Sequence, residues 1–154
     1  MKKGQIGFSL IELLIVVAII LIIAAIAIPN LMRSKMAANE ASAVAALRTL
    51  NTACISYSTA WGQFPGGLAS LGPVASGSAP TSSTADLIDS VLASGTKAGY
   101  NISFAGGGAS GGYQISAAPV NTGVTGQRYF FTDQSGVIRV DPSTTATSAS
   151  SPLS

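Results

Sequence analysis

Between Phe8 and Ile28 run 21 consecutive residues of which only Ser9 and Glu12 are polar. Coiled as an α-helix, such a segment is about 31 Å long, the thickness of a bilayer's hydrocarbon core. It is apolar on every face, so burying it needs lipid or other helices all round. Lys2 and Lys3 precede it and Pro29 follows it at once. Basic residues stay on the cytoplasmic side of a membrane span, so this pattern places the N-terminus in the cytoplasm and the rest of the chain outside the inner membrane.

Glu12 is the anomaly in this stretch. A carboxylate in a membrane helix costs roughly 2–3 kcal/mol, less where it reaches the interface. A simple anchor has no use for that cost. The acid implies a cationic partner in an apolar environment. Cutting the chain after Gly7 would free the α-amine of Phe8, and the amine of one copy could then meet Glu12 of another.

The run Gly7-Phe8-Ser9-Leu10-Ile11-Glu12-Leu13-Leu14 behind a short basic leader resembles the cleavage and assembly motif of type IV prepilins and pseudopilins. The resemblance implies cleavage between Gly7 and Phe8 by a membrane prepilin peptidase, which then N-methylates Phe8. It implies that Glu12 is the intramembrane glutamate that sets assembly and registration, and that the helix kinks or melts at Pro29. The implied partners are that peptidase/methyltransferase, an inner-membrane assembly platform, the membrane, and further copies of the chain as a homopolymer.

A different reading starts from Ala25-Ile26-Ala27, which has the form of a signal-peptidase site behind an apolar core at Leu13–Ala24. That cut would release a soluble binding module beginning at Ile28. It leaves Glu12 and the helix that follows without a purpose.

Residues 29–61 continue the helical pattern. Ala37, Ala38, Ala41, Ala43, Ala45, Ala46 and Ala53 supply high propensity. Val44, Leu47, Leu50, Cys54, Tyr57 and Trp61 recur at steps of three or four and share one face. Pro29 removes one hydrogen bond and crowds the preceding turn, which predicts a bend or a locally unwound stretch. The whole helix would be about 80 Å long. Arg33, Lys35 and Glu40 are read either as inter-subunit ion pairs in a filament or as a solvated face near the membrane. Cys54 is the sole cysteine, so no internal disulfide can form, and its place on the apolar stripe marks it as a buried thiol.

Residues 62–98 read as a connection. Gly and Pro break its first half, with a short turn at Leu68–Leu71. Residues 76–84 form a Ser/Thr-rich loop, read as plain loop rather than a carrier of sugars. A short helix is expected over Thr84–Ser94, with Thr84 as its cap, Asp86 in its first turn and Leu87, Ile88, Val91 and Leu92 buried. Asp86 and Asp89 are too few ligands for calcium and are read as surface.

Residues 99–140 alternate as four strands: Tyr100–Phe104, Tyr113–Ala117, Gln127–Thr132 and Val137–Val140. The turn Asp133-Gln-Ser-Gly136 makes a hairpin of the last two. Their apolar face needs a cover, and the stripe from Val44 to Trp61 can supply it. Gly106, Gly108 and Gly111 formally match a dinucleotide fingerprint. The motif needs a strand before it and a helix after it, and here a second strand follows, so a hairpin loop is expected. Asn101-Ile-Ser103 has the form of a glycosylation acceptor but falls within a strand. Residues 141–154 read as a flexible tail.

The expected fold is therefore α+β: a long N-terminal helix, transmembrane in its first half, packed on a four-stranded antiparallel sheet. Further pieces are similar to pilin and major pseudopilin heads, namely Gly99-Tyr100 opening a strand and Asp133-Gln-Ser-Gly136 before the last one. The boundaries expected are a leader at 1–7, a polymerisation helix at 8–28, an amphipathic helix at 29–61, a connection at 62–98, a sheet at 99–140 and a tail at 141–154. Without Lys2 and Lys3 the basic and acidic side chains balance, so no field for nucleic acid arises. The chain has no histidine and no visible nucleophile–base pair, metal cluster or cofactor motif, which argues against an enzyme. The function expected is a structural subunit of a type IV pilus-like filament, first held in the inner membrane and then exported as a surface polymer. A pseudopilin of a type II secretion system shares the same stem chemistry.

Overall fold

A computed structural model of the chain describes residues 8–107 and 111–153. The leader, including Gly7, lies outside the described residues, as does Gly108. The chain divides into two compact units, Met1–Lys35 and Met36–Ser154.

Helix α1, Leu10–Trp61, is the organising element and stays helical at Pro29. Its part in the first unit is exposed on all sides, from Leu10 through Ile22 to Leu31 and Met32. Its part in the second unit has one buried stripe. Ala43, Val44, Ala46, Leu47, Leu50, Ala53, Cys54 and Tyr57 are buried there, while Arg48, Thr49, Thr52 and Ser56 are exposed. The spacing of three and four is what puts these residues on one face. Trp61 is half-buried and its ring lies 4.6 Å from that of Tyr57.

Among the described residues six antiparallel strands follow, in the spatial order of the sequence: β1 Thr96–Lys97, β2 Tyr100–Gly106, β3 Tyr113–Pro119, β4 Tyr129–Asp133, β5 Arg139–Asp141 and β6 Ser151–Pro152. Strands at the four expected places form the body of the sheet, the last shifted from Val137–Val140 to Arg139–Asp141, and a two-residue strand is added at each edge. Tyr100, Ile102, Tyr113, Ile115, Ala117 and Phe130 point from the sheet into one core with the buried stripe of α1. The stripe is thus the cover that the sheet requires. Gly106 pairs with Tyr113, so β2 and β3 form a hairpin, and Gly106 and Gly111 do not lead into a helix. The turn at Asp133–Gly136 closes with the Gly136 N–H on the Asp133 carbonyl at 2.9 Å. Gly136 has φ 73°, in the region that favours glycine.

Three expectations fail, each for a traceable reason. The helix expected over Thr84–Ser94 is only α3, Ser90–Ala93; the other short helix, α2, is Leu68–Leu71. Asp86 has φ 57°, which a right-handed helix does not accommodate, and the N–H groups of Ala85, Asp86, Leu87 and Ile88 donate to the carbonyls of Ser70, Gly72 and Leu71, which ties this non-helical path to the end of α2. Asp89, not Thr84, caps α3, accepting the Leu92 N–H at 2.6 Å. Val91 is exposed, whereas Ile88 and Leu92 are buried.

The strand expected from Gln127 begins at Tyr129, because the N–H groups of Gln127 and Arg128 go to a side chain on α1. The tail is ordered. It buries Ala146, returns as β6 along β5, and donates the Leu153 N–H to the Ile138 carbonyl at 2.8 Å.

Candidate functional site: the N-terminal helix and the head that carries it

The first turn of α1 has a specific polar geometry. The Ser9 N–H donates to Glu12 Oε2 at 3.0 Å, and the Leu13 N–H donates to the Ser9 carbonyl at 3.2 Å. Ser9 therefore stands at the N-cap and Glu12 three residues on, which is the carboxylate half of a capping box. The negative charge also sits at the positive end of the helix dipole. Sequence reasoning assigned Glu12 only to another copy and missed this local bond, although Ser-x-x-Glu before an apolar run was the available signal. The bond engages one carboxylate oxygen. Among the described residues Oε1 has no partner and is open to a second donor.

Around this turn the side chains are apolar and exposed. Phe8 and Leu10 are each 79% exposed, and the pattern continues along Leu13, Leu14, Val17 and Leu21. The helix is long and apolar enough to cross a membrane. Phe8, the residue expected at the mature N-terminus, immediately precedes the capped turn; Gly7, on the other side of the expected cut, is not described.

In the second unit the charged residue Glu40 behaves differently from either expectation. Its carboxylate is engaged within its own head. It is buried and accepts three bonds from the segment entering β4: the Gln127 N–H at 2.9 Å, the Arg128 N–H at 3.2 Å and Arg128 Nε at 2.7 Å. Burial pushes its pKa up, but the Gln127 N–H, the Arg128 guanidinium and the Arg128 N–H outweigh it and hold the carboxyl below its ordinary value. Asn39 adds a fourth tie, donating to the Thr125 carbonyl at 2.8 Å. Arg33 and Lys35 are exposed.

A second buried polar group escaped the sequence reading. Asn51 lies within the apolar stripe. Its amide donates to Thr132 Oγ1 at 2.8 Å and accepts from the Tyr113 hydroxyl at 3.1 Å. These bonds fix α1 over β3 and β4 at one register, since sliding the helix by a turn would strand all three groups. Cys54, one turn further on, is fully buried, and burial pushes its thiol up to about 12. Asp89 pairs with Lys97 at 3.0 Å besides capping α3, and Asp86 is exposed with φ 57°.

Residues 2–28 match the family described as the prokaryotic N-terminal methylation motif, the leader signature of type IV pilins and prepilins. The matched region contains Gly7, Phe8, Ser9 and Glu12 and ends at Ile28, before Pro29. Comparison with curated proteins gives no match.

Proposed function

We propose that this chain, which carries the prepilin leader signature, is a structural subunit that polymerises through α1 into a type IV pilus-like filament. The observation that carries this reading is the coincidence of the motif with the first part of α1, where the apolar side chains are exposed and the one acid between Leu10 and Ile28, Glu12, stands in the first turn. Before processing, the apolar part of α1 holds the subunit in the inner membrane and the leader keeps it monomeric there. A prepilin peptidase cuts between Gly7 and Phe8 and methylates the new amine. The Phe8 ammonium of one copy then meets Glu12 of the next.

In an apolar medium that attraction amounts to a few kcal/mol after desolvation, and it fixes the axial register. Each copy leaves the bilayer with its apolar helix reburied against its neighbours, which offsets the cost of extraction. Pro29 provides the point where the helix can bend or melt between the bundled stems and the head. The chain's role in this scheme is structural; the work of extraction comes from the assembly machinery.

The local bond to Ser9 sharpens the test. Glu12→Gln keeps an oxygen for the Ser9 N–H but removes the charge, whereas Glu12→Ala removes both. Both variants should insert in the membrane and be cleaved, and neither should form filaments when expressed alone. Normal filaments from Glu12→Gln would reduce Glu12 to a helix cap and overturn its role in assembly.

A further inference from the structure

The connection between β3 and β4 carries no charged residue from Pro119 through Gln127, and it leaves Val120 47% and Val124 55% exposed. Single exposed valines are ordinary on a protein surface. These two belong to a loop that is built rather than slack. The Gly123 N–H donates to the Gly126 carbonyl at 2.8 Å, and the Val124 and Thr125 N–H groups donate to the Asn121 carbonyl at 3.1 and 2.9 Å. The Asn121 N–H donates to Thr125 Oγ1 at 3.1 Å. Gly123 takes φ 82°, which glycine alone adopts freely, so the turn holds Val124 in the open at a fixed place.

Two contacts with α1 set where the loop stands in the head. Strand β3 begins at Tyr113, whose hydroxyl donates to Asn51, and ends at Pro119. The loop beyond it gives the Thr125 carbonyl to Asn39. From Asn51 back to Asn39 is the direction of Met36, the first residue of the head unit. The loop therefore occupies the end at which the chain enters the head, and the turn Asp133–Gly136, beyond the far end of β4, occupies the other. From Ile28, the last residue of the apolar run, to Met36 is about 12 Å of helix. The headgroup layer extends roughly 5–8 Å beyond the hydrocarbon on each side of a bilayer. Half-buried Tyr129 bonds Thr122 through its hydroxyl at 2.9 Å, which adds to the loop a residue type favoured at membrane interfaces.

We propose that, before assembly, this loop rests on the bilayer that α1 enters, with Val120 and Val124 reaching the boundary between headgroups and acyl chains. The occupant of the exposed valines is phospholipid, met through apolar contact. With no charge to desolvate, the loop gains from burying the two side chains, while Asn121 and Thr122 stay among hydrated headgroups. The contact is a second hold on the membrane, made by the head. It rests on the membrane placement of α1 and needs nothing from polymerisation.

The test is spin-label accessibility in the unprocessed full chain, reconstituted at high lipid excess in phosphatidylcholine vesicles. Single nitroxides are attached at Val124→Cys, at Ser135→Cys in the opposite turn and at Leu21→Cys in the stem; wild type treated alike, with Cys54 buried, is the blank. Circular dichroism checks that each variant keeps the fold. The label at 124 should be reached by oxygen and shielded from a water-soluble nickel chelate, and the label at 135 should show the reverse. Adding Val120→Asp should return the label at 124 toward the aqueous pattern. Replacing part of the lipid with phosphatidylglycerol should change neither. An aqueous pattern at 124 with lipid exposure at 21 overturns the loop contact and leaves the filament reading standing; an aqueous pattern at 21 as well overturns both the contact and the membrane placement it rests on. Shielding that appears only with anionic lipid, that vanishes on dilution with lipid as contact with a second copy would, or that Val120→Asp leaves unchanged also overturns the proposal.

Discussion

Glu40 on α1 and Arg128 at the start of β4 form an ion pair at 2.7 Å, 88 residues apart in sequence, with the glutamate side chain 9% exposed and the arginine 45%. The same carboxylate receives two backbone N–H groups, so one side chain determines where β4 begins.

This arrangement makes head stability depend on acid. The folded carboxyl binds a proton less readily than the unfolded one, so its contribution is complete above the unfolded value near 4.5 and is lost as pH falls through the lower folded value. Glu40→Gln should lower stability by about 1–3 kcal/mol at pH 7, because the arginine and the N–H groups lose a charged acceptor. Thermal melts of the two proteins should differ clearly at neutral pH and converge in acid, once the pH has fallen below the lowered folded value. A gap that persisted at low pH would show that the effect is not that of the charge.

Cys54 should be inert in the folded chain. Its pKa of about 12 and full burial predict alkylation at pH 8 at least about a thousand-fold slower than for an exposed thiol. Denaturant should restore ordinary reactivity. Mass spectrometry after a timed iodoacetamide pulse measures both. Rapid labelling of the native protein would mean that the stripe opens readily.

The C-terminal segment should behave as part of the fold. Arg139 donates to the Ser150 carbonyl at 3.0 Å, and Pro152, with no N–H, stands on the outer strand. An edge finished in this way resists pairing with another sheet. Deleting residues 143–154 should lower stability by about 1–3 kcal/mol through lost apolar burial and expose β5 to strand pairing. Melting temperature and light scattering of the detergent-solubilised chain should both report it. A truncated chain as stable and as monodisperse as the full one would return the segment to the status of a loose tail.

Long-period features were legible in the sequence because they depend on composition and spacing alone. The apolar run from Phe8, the stripe from Val44 to Trp61 and the four alternating strands are of this kind. What was not legible depended on partners far away in the chain. Nothing local marks Asn51 as the partner of Tyr113 and Thr132, or Glu40 as the acceptor that delays β4. The segment 85–88 reads as helical, but its bonds to the end of α2 go with a positive φ at Asp86 that no local signal announces. The tail has the composition of disorder, yet Ala146 and Leu153 find apolar places that only the finished sheet creates. At the candidate site the converse held: the Ser9–Glu12 bond is local, and Ser-x-x-Glu before an apolar run is its signal in the sequence.

The central claim is that a newly exposed Phe8 ammonium makes the polymer possible. Intact-mass analysis of subunits from sheared cell-surface filaments tests it most directly. The expected subunit begins at Phe8 and carries one added methyl group. Filament subunits that keep residues 1–7, or a mature protein that begins at Ile28, would contradict it.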